Sequence, residues 1–234
     1  MSVTNTKSEG ASIVVLCNLN PAIFTPFWFE TFDLVPHEEC NAASNIALTN
    51  DFACFELPWC RIQVFKDRFI IETTDSARVV SLADLVVGTF SLLEHSPIIS
   101  FGFNRFFHVQ LESEENWNKI GHLLAPKSIW EEVIPNPRTR TVSISGEKQR
   151  KNGLKGSLQA IFEPSSTVQH GVFFEVHRNY TIDEEKTDSE VQQLHGKELQ
   201  LLRQTLQDKW PDFLLESDKI TNHVLAKFRA SLSE

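Results

Sequence analysis

SFGFNRFFHV, Ser100 to Val109, places four phenylalanines, an arginine and a histidine within ten residues. Two readings compete: a platform of exposed rings that stacks on nucleic-acid bases, or the middle of a hydrophobic core. Strand alternation across Ile98 to Leu111 sends Ile99, Phe101, Phe103, Phe107, Val109 and Leu111 to one face. Ser100, Gly102, Asn104, Phe106, His108 and Gln110 fall on the other. Arg105 is the single break in the apolar row.

The RNA-recognition motif supplies a strict template for the stacking reading, with a basic residue, a glycine and exposed aromatics on a central strand. This sequence keeps Phe101, Gly102, Phe103 and Phe106 of that pattern but lacks the basic residue, the first glycine and the valine. On the candidate partner strand, VVLCNL, Val15 stands where the stacking aromatic belongs. A hairpin and a helix also intervene before the Phe-rich strand, so the spacing is too long for one such module. The rings therefore read as core, each burying of order 150 to 250 Å2. Arg105 is expected to mark a bulge or strand edge where its side chain escapes to solvent, with an anion clamp as the functional alternative.

Outward from this strand, Ser12 to Leu19 reads as a first buried strand, and 21–51 as irregular with at most one short helix. CRIQVF and RFIIETT flank Lys66-Asp67 as a hairpin. Leu82, Leu85, Val86, Phe90 and Leu93 recur at helical spacing between Ser81, a candidate N-cap, and Pro97. Ser113 begins a second helix through Trp117, Ile120, Leu123 and Leu124. Beyond IPNPRTR come three strands, RTVSISG, GSLQAIF and GVFFEVHRNYTI, and then a helix pair. The first of that pair is capped by Thr187 with Glu190 and carries Val191, Leu194, Leu199, Leu202 and Leu206; the second spans Ser217 to Leu232. The expectation is an α+β protein of two lobes, 1–135 and 136–234, each an antiparallel sheet packed against helices, with a ferredoxin-like first lobe.

A chain of 234 residues, 41% hydrophobic, can bury a substantial core. The apolar runs are too short to span a bilayer and the N-terminus has no signal-peptide pattern, so a cytoplasmic location without membrane contact is expected. Its four cysteines are then reduced thiols. The net charge of −9 is unevenly spread. Arg138, Arg140, Lys148, Arg150, Lys151 and Lys155 stand against Glu147 alone, a local +5 that leaves −14 for the remainder. These basic residues, with Arg105, are the candidate contacts for a partner or for phosphate. The loop GEKQRKNGLKGS is expected to be extended by self-repulsion.

His37 and Cys40, followed by Cys54 and Cys60, supply the four ligands a zinc site would need, but the second spacing is loose and buried or incidental thiols fit better. Cys40 beside His37 forms no legible nucleophilic centre. Glu175-Val-His177 lacks the aspartate and lysine of a metal-nuclease strand. The acids Asp183, Glu184, Glu185, Asp188 and Glu190 suit the start of a helix. Hydrolase elbows, metalloprotease helices and phosphate-binding loops are missing, so neither cofactor nor enzymatic activity is expected.

RIQVFKDRFIIET, FSLLEH, PIISFGFNRFF, HGKELQLLRQTLQDKW and ITNHVLAKF together make the chain resemble a sporadically distributed, uncharacterised bacterial protein family of this length. Phe101, Gly102, Asn104 and Arg105 match its glycine-and-aromatic strand, and Ile220 and Thr221 its closing helix. The resemblance implies a partner-binding role in a bacterial defence or toxin-neutralising system, such as an antitoxin. Two functions follow as expectations: a non-enzymatic protein that binds another macromolecule, most plainly a protein, or a nucleic-acid-binding protein or nuclease subunit using the basic segment 138–155.

Overall fold

The quoted decapeptide lies in β6 (Ile98–Leu111), a strand of the span the alternation predicts. The structure, a computed structural model, describes residues 4–146, 149–151, 154–182 and 196–232. β1 (Thr4–Cys17) is followed by a 3-10 turn (Pro21–Ile23), α1 (Pro26–Thr31), α2 (His37–Asn41), β2 (Ser44–Leu48) and β3 (Phe52–Glu56). Next come the hairpin β4 (Arg61–Phe65) and β5 (Arg68–Thr73), then α3 (Ser81–Ser91), β6 and α4 (Glu114–Leu124). β7 (Val142–Ser145), β8 (Gln149–Lys151), β9 (Leu154–Pro164), β10 (Gly171–Ile182) and α5 (Lys197–Ser231) complete the order.

The described strands form one ten-stranded antiparallel sheet in the order β2-β3-β4-β5-β1-β6-β10-β9-β7, with β8 pairing β9 beyond β7. The α+β expectation holds, but the proline pair at Pro135 and Pro137 does not divide the sheet. β6, from the first half, pairs with β10, from the second, from Gln110 opposite Gly171 to Ser100 opposite Thr181. The segments 1–135 and 136–234 thus share one sheet, and the first makes a meander around β1 and β6 rather than two ferredoxin-like βαβ units. Such long-range pairing leaves no mark on local periodicity.

Register fixes which face is buried. Ala11, Ile13 and Val15 of β1 stand opposite Arg105, Phe103 and Phe101 of β6 and opposite Thr73, Ile71 and Phe69 of β5. The helices pack on this face: Phe24 meets Phe69, Phe29 meets Phe55, and Phe103 meets Trp210 and Phe213. Phe101 and Phe103 are buried, as the core reading requires. Ile99 departs from its expected face and is exposed, because the pairing slips between Leu16 and Cys17 and brings Ile98 inward instead.

Several local expectations are corrected. β1 begins at Thr4, so the polar stretch before Ser12 is strand, paired with β6 from Thr4 onward and with β5 as well from Ala11. The region 21–51 contains two short helices and a strand. Ser113 caps α4 by accepting from the Asn116 amide, whereas Ser81 caps nothing, since Val80 is already helical. α3 ends at Ser91, short of His95.

The expected C-terminal pair is one continuous helix with Pro211 inside it. Pro211 offers no amide to the Gln207 carbonyl, a local defect in the helical ladder. Burial continues across it, through Leu202, Leu206, Trp210, Phe213, Ser217, Thr221, Leu225 and Phe228, at spacings of three and four. Packing of that stripe outweighs the local defect. The expected cap at Thr187 and Glu190, with Val191 and Leu194, lies outside the described residues. Replacing Pro211 by alanine is expected to raise stability by up to about 3 kcal/mol, read as a higher midpoint in chemical denaturation.

Arg105 is also corrected. It occupies no bulge or edge: it lies mid-strand between β1 and β10, and its side chain is 8% exposed. Its guanidinium donates to Glu9 Oε2 at 2.8 Å, Asp218 Oδ1 at 3.3 Å and the Gly10 carbonyl at 3.3 Å, and lies 4.7 Å from the Phe107 ring centre. This polar seam separates two apolar clusters. Phe101, Phe103, Leu206, Trp210 and Phe213 belong to the larger, and Phe107, Val109, Ile120, Leu225 and Phe228 to the smaller. On α5 the seam is continued by Ser217 and Thr221, both buried.

Candidate functional site: the helix-free face of the sheet

Residues of the opposite parity enter neither apolar cluster, and no described helix covers them. One transverse row crosses this face with a polar side chain on every strand of the main path. It runs Ser44, Glu56, Arg61, Glu72, Ser12, Asn104, His177, Gln159 and Ser145, each opposite the next. Side-chain bonds tie row members to each other at the centre and to adjacent residues toward the ends. Asn45 donates to Glu56 Oε2 at 2.6 Å, Asn104 Nδ2 to Ser12 Oγ at 2.9 Å, and Gln159 Nε2 to Ser143 Oγ at 2.6 Å.

At the centre, His177 Nδ1 lies 2.6 Å from Asn104 Oδ1. An amide oxygen can only accept, so Nδ1 carries the hydrogen and Nε2 carries one only when the ring is protonated. Nε2 is buried and 3.1 Å from Glu175 Oε2, in a geometry short of a hydrogen bond. Ser12 is bonded by Asn104 rather than by the imidazole, so Ser12 and His177 do not form a serine–histidine nucleophile. The arrangement suits recognition by hydrogen bonds and charge.

Burial pushes the Glu72 carboxyl up; Arg61 opposes this, and Glu175 adds to the rise although two strands lie between them. A folded-state pKa above the unfolded one means that Glu72 supports folding fully below the usual carboxylate range and loses that contribution as pH rises through its raised value. Glu72→Gln is therefore expected to raise the Tm at pH 7 relative to wild type, with the gain vanishing at pH 4 and below. An unchanged difference between the two pH values would contradict the assignment.

Next to this row, Phe106, His108 and Phe173 form an aromatic group, with His108 4.8 Å from Phe173 and Phe106 6.2 Å from Phe173 between ring centres. Phe106 lies over Gly10, where a Cβ would approach its ring to 2.3 Å, so glycine is required there. Burial pushes the His108 imidazole down, and its Nδ1 meets Ser165 Oγ at 2.9 Å and Thr167 Oγ1 at 3.1 Å. Aromatic residues do reach the open sheet face, these three and the pair Phe52 and Phe65 toward its other edge, but not Phe101 and Phe103.

The predicted contacts are dispersed. Arg105 is in the core seam, and Arg138 and Arg140 are exposed on the segment leading into β7. The segment expected as an extended loop pairs back instead: β8 lies along β9, with Arg150 opposite Lys155 and Lys151 opposite Leu154. Lys148 and Gly153 lie outside the described residues, and Lys155 is exposed. Arg150, Lys151 and Lys155 thus occupy one sheet edge, apart from the polar row.

His37 meets Glu30 at 2.6 Å and Asn41 at 2.7 Å, while Cys17, Cys40, Cys54 and Cys60 are free and buried. Burial pushes the Cys17 thiol up to about 12 and raises Cys40 and Cys60, so these sulfurs are poor nucleophiles. No three histidine, cysteine or carboxylate side chains among the described residues meet in a way that would hold a metal. No described helix is long and apolar enough to cross a membrane.

Sequence reasoning missed the transverse row, because alternating polar positions read as an ordinary solvated face. It also missed an exposed apolar turn, Ile129, Trp130, Val133 and Ile134, held by bonds from Val133 and Ile134 amides to the Trp130 carbonyl. The signal was present in SIWEEVI, where apolar residues recur without any partner face. No protein-family model and no curated protein matches the sequence.

Proposed function

We propose that this chain is a non-catalytic binding protein that engages another protein through the helix-free face of its sheet. The observation carrying the reading is a polar row that crosses every strand of the main path, bonded at its centre from Ser12 through Asn104 to His177, on the side of the sheet opposite the helices. Phe106, Phe173 and His108 beside it add the aromatic area common at protein interfaces. Glu72 in the row and Glu175 beside it oppose the approach of phosphate. In keeping with the family resemblance, the partner belongs to a bacterial defence or toxin-neutralising system.

The test compares capture from bacterial lysate by the wild-type chain, Phe173→Lys with Glu163→Lys, and Leu215→Lys on the outer side of α5. A partner retained by wild type and Leu215→Lys but lost by the sheet-face variant, at equal melting temperature, supports the proposal. Retention by all three refutes it. A second reading, nucleic-acid binding at the basic edge, is favoured by Arg150 facing Lys155 in register. It requires binding to single-stranded RNA or DNA that weakens steeply with salt and is lost in Arg150→Glu with Lys155→Glu.

A further inference from the structure

On the helix-bearing side, α2, α3 and the turn before β4 enclose a cleft of about 400 Å3. That size is within the range of small-ligand pockets. Val35 and Leu85, both buried, form its apolar floor, and Trp59 stands as one wall.

The wall is built from interlocking bonds. Trp59 Nε1 donates to Glu39 Oε2 at 2.7 Å, Arg78 donates to Glu39 Oε1 at 3.3 Å, and the guanidinium lies 5.5 Å from the Trp59 ring centre. Thr73 holds the Trp59 carbonyl from behind. Both Glu39 oxygens and the Arg78 charge are therefore committed to each other.

Asp33 and Asp84, both exposed, stand at the rim of the cleft, and neither side chain has a hydrogen-bond or ion-pair partner among the described residues. The α3 N-terminus contributes roughly half a positive charge, which leaves the cleft negative. It offers little to an anion, because the amides of Ser81, Leu82 and Ala83 are already spent on the carbonyls of Arg78, Val79 and Val80. An apolar floor beneath two water-facing carboxylates that no protein cation meets favours a cation on a short alkyl stem.

We infer that this cleft binds an ammonium or guanidinium group carried on an alkyl chain, its charge held by Asp33 and Asp84 and its stem laid against Trp59 and Leu85. A lysine or arginine side chain of a bound protein and a free aliphatic diamine share this chemistry. The inference is independent of the sheet face, since the cleft lies on the other side of the sheet.

The test follows the indole N–H resonance of Trp59, assigned with Trp59→Phe, by NMR during separate titrations of the full chain. The probes are acetyl-Gly-Arg-Gly-amide, 1,5-diaminopentane and the neutral acetyl-Gly-norleucine-Gly-amide. Saturable shifts with either cationic probe, weakened tenfold or more in Asp33→Asn with Asp84→Asn, support the site, and the tighter of the two identifies the source. Asp33 has φ of 54°, a conformation asparagine tolerates, so Asp33→Asn alone serves as a second folded variant and should weaken binding several-fold. No shift with either cation, an equal shift with norleucine, or unchanged binding in both variants overturns the inference.

Discussion

Trp210→Ala is expected to lower the unfolding free energy by about 3 to 5 kcal/mol, enough to leave a domain of ordinary stability partly unfolded at 37 °C. Trp210 is 1% exposed and sits where α5 meets β6, 5.3 Å from the Phe103 ring centre and 5.9 Å from Phe213. Its Nε1–H donates to the Val79 carbonyl at 3.2 Å, tying α5 to the start of α3. Truncation removes a large buried side chain and the shorter of the two bonds to that carbonyl, which keeps only the Leu82 amide. Trp210→Phe keeps most of the contact and should cost less than half as much. Urea denaturation followed by circular dichroism measures both, and equal losses would show that packing volume is not what Trp210 supplies.

The second large effect concerns the polar seam. Glu9→Gln combined with Asp218→Asn leaves the Arg105 guanidinium buried without a countercharge, facing only neutral acceptors and the Phe107 ring, and is expected to cost about 3 to 5 kcal/mol. Arg105→Met removes the charge itself and fills similar space. Both carboxylates are then free to take up water, since Glu9 and Asp218 are each more than a third exposed. The expected loss for Arg105→Met is about 1 to 2 kcal/mol, because the two apolar clusters can then join across the gap. The ordering decides the matter: if Arg105→Met destabilises as much as the double variant, the seam is not held by compensated burial of charge.

Local pattern carried some of this architecture. β6 matched from Ile98 to Leu111, the β4–β5 hairpin turned at Lys66 and Asp67, and Ser113 capped α4, because alternation, turn chemistry and capping are each written within a few residues. Arg105 was misread for the complementary reason. Its partners are 95, 96 and 113 positions away in sequence, so nothing near it announces that its charge is met inside the fold. The joining of the two halves, and the stripe that carries α5 past Pro211, likewise depend on surfaces distant in sequence.

For the candidate site the same limit applies more severely. Ser12, Asn104 and His177 are ordinary polar residues on three separate strands, and only the register of β1, β6 and β10 lines them up. Trp59, Arg78 and Glu39 come from three separate segments. The basic run from Arg138 to Lys155 was conspicuous in the sequence, yet it occupies an edge, while the face with the most organised side chains has no compositional signature.

Covalent footprinting of the chain with and without its captured partner tests the binding-face proposal most directly. Labelling of Phe106, His108 and Phe173 should fall at least several-fold in the complex, while Leu215 and Phe27, exposed on the helix side, stay labelled to the same extent. Protection confined to the α5 surface or to the Ile129–Ile134 turn, with the three sheet-face rings unchanged, would contradict the account.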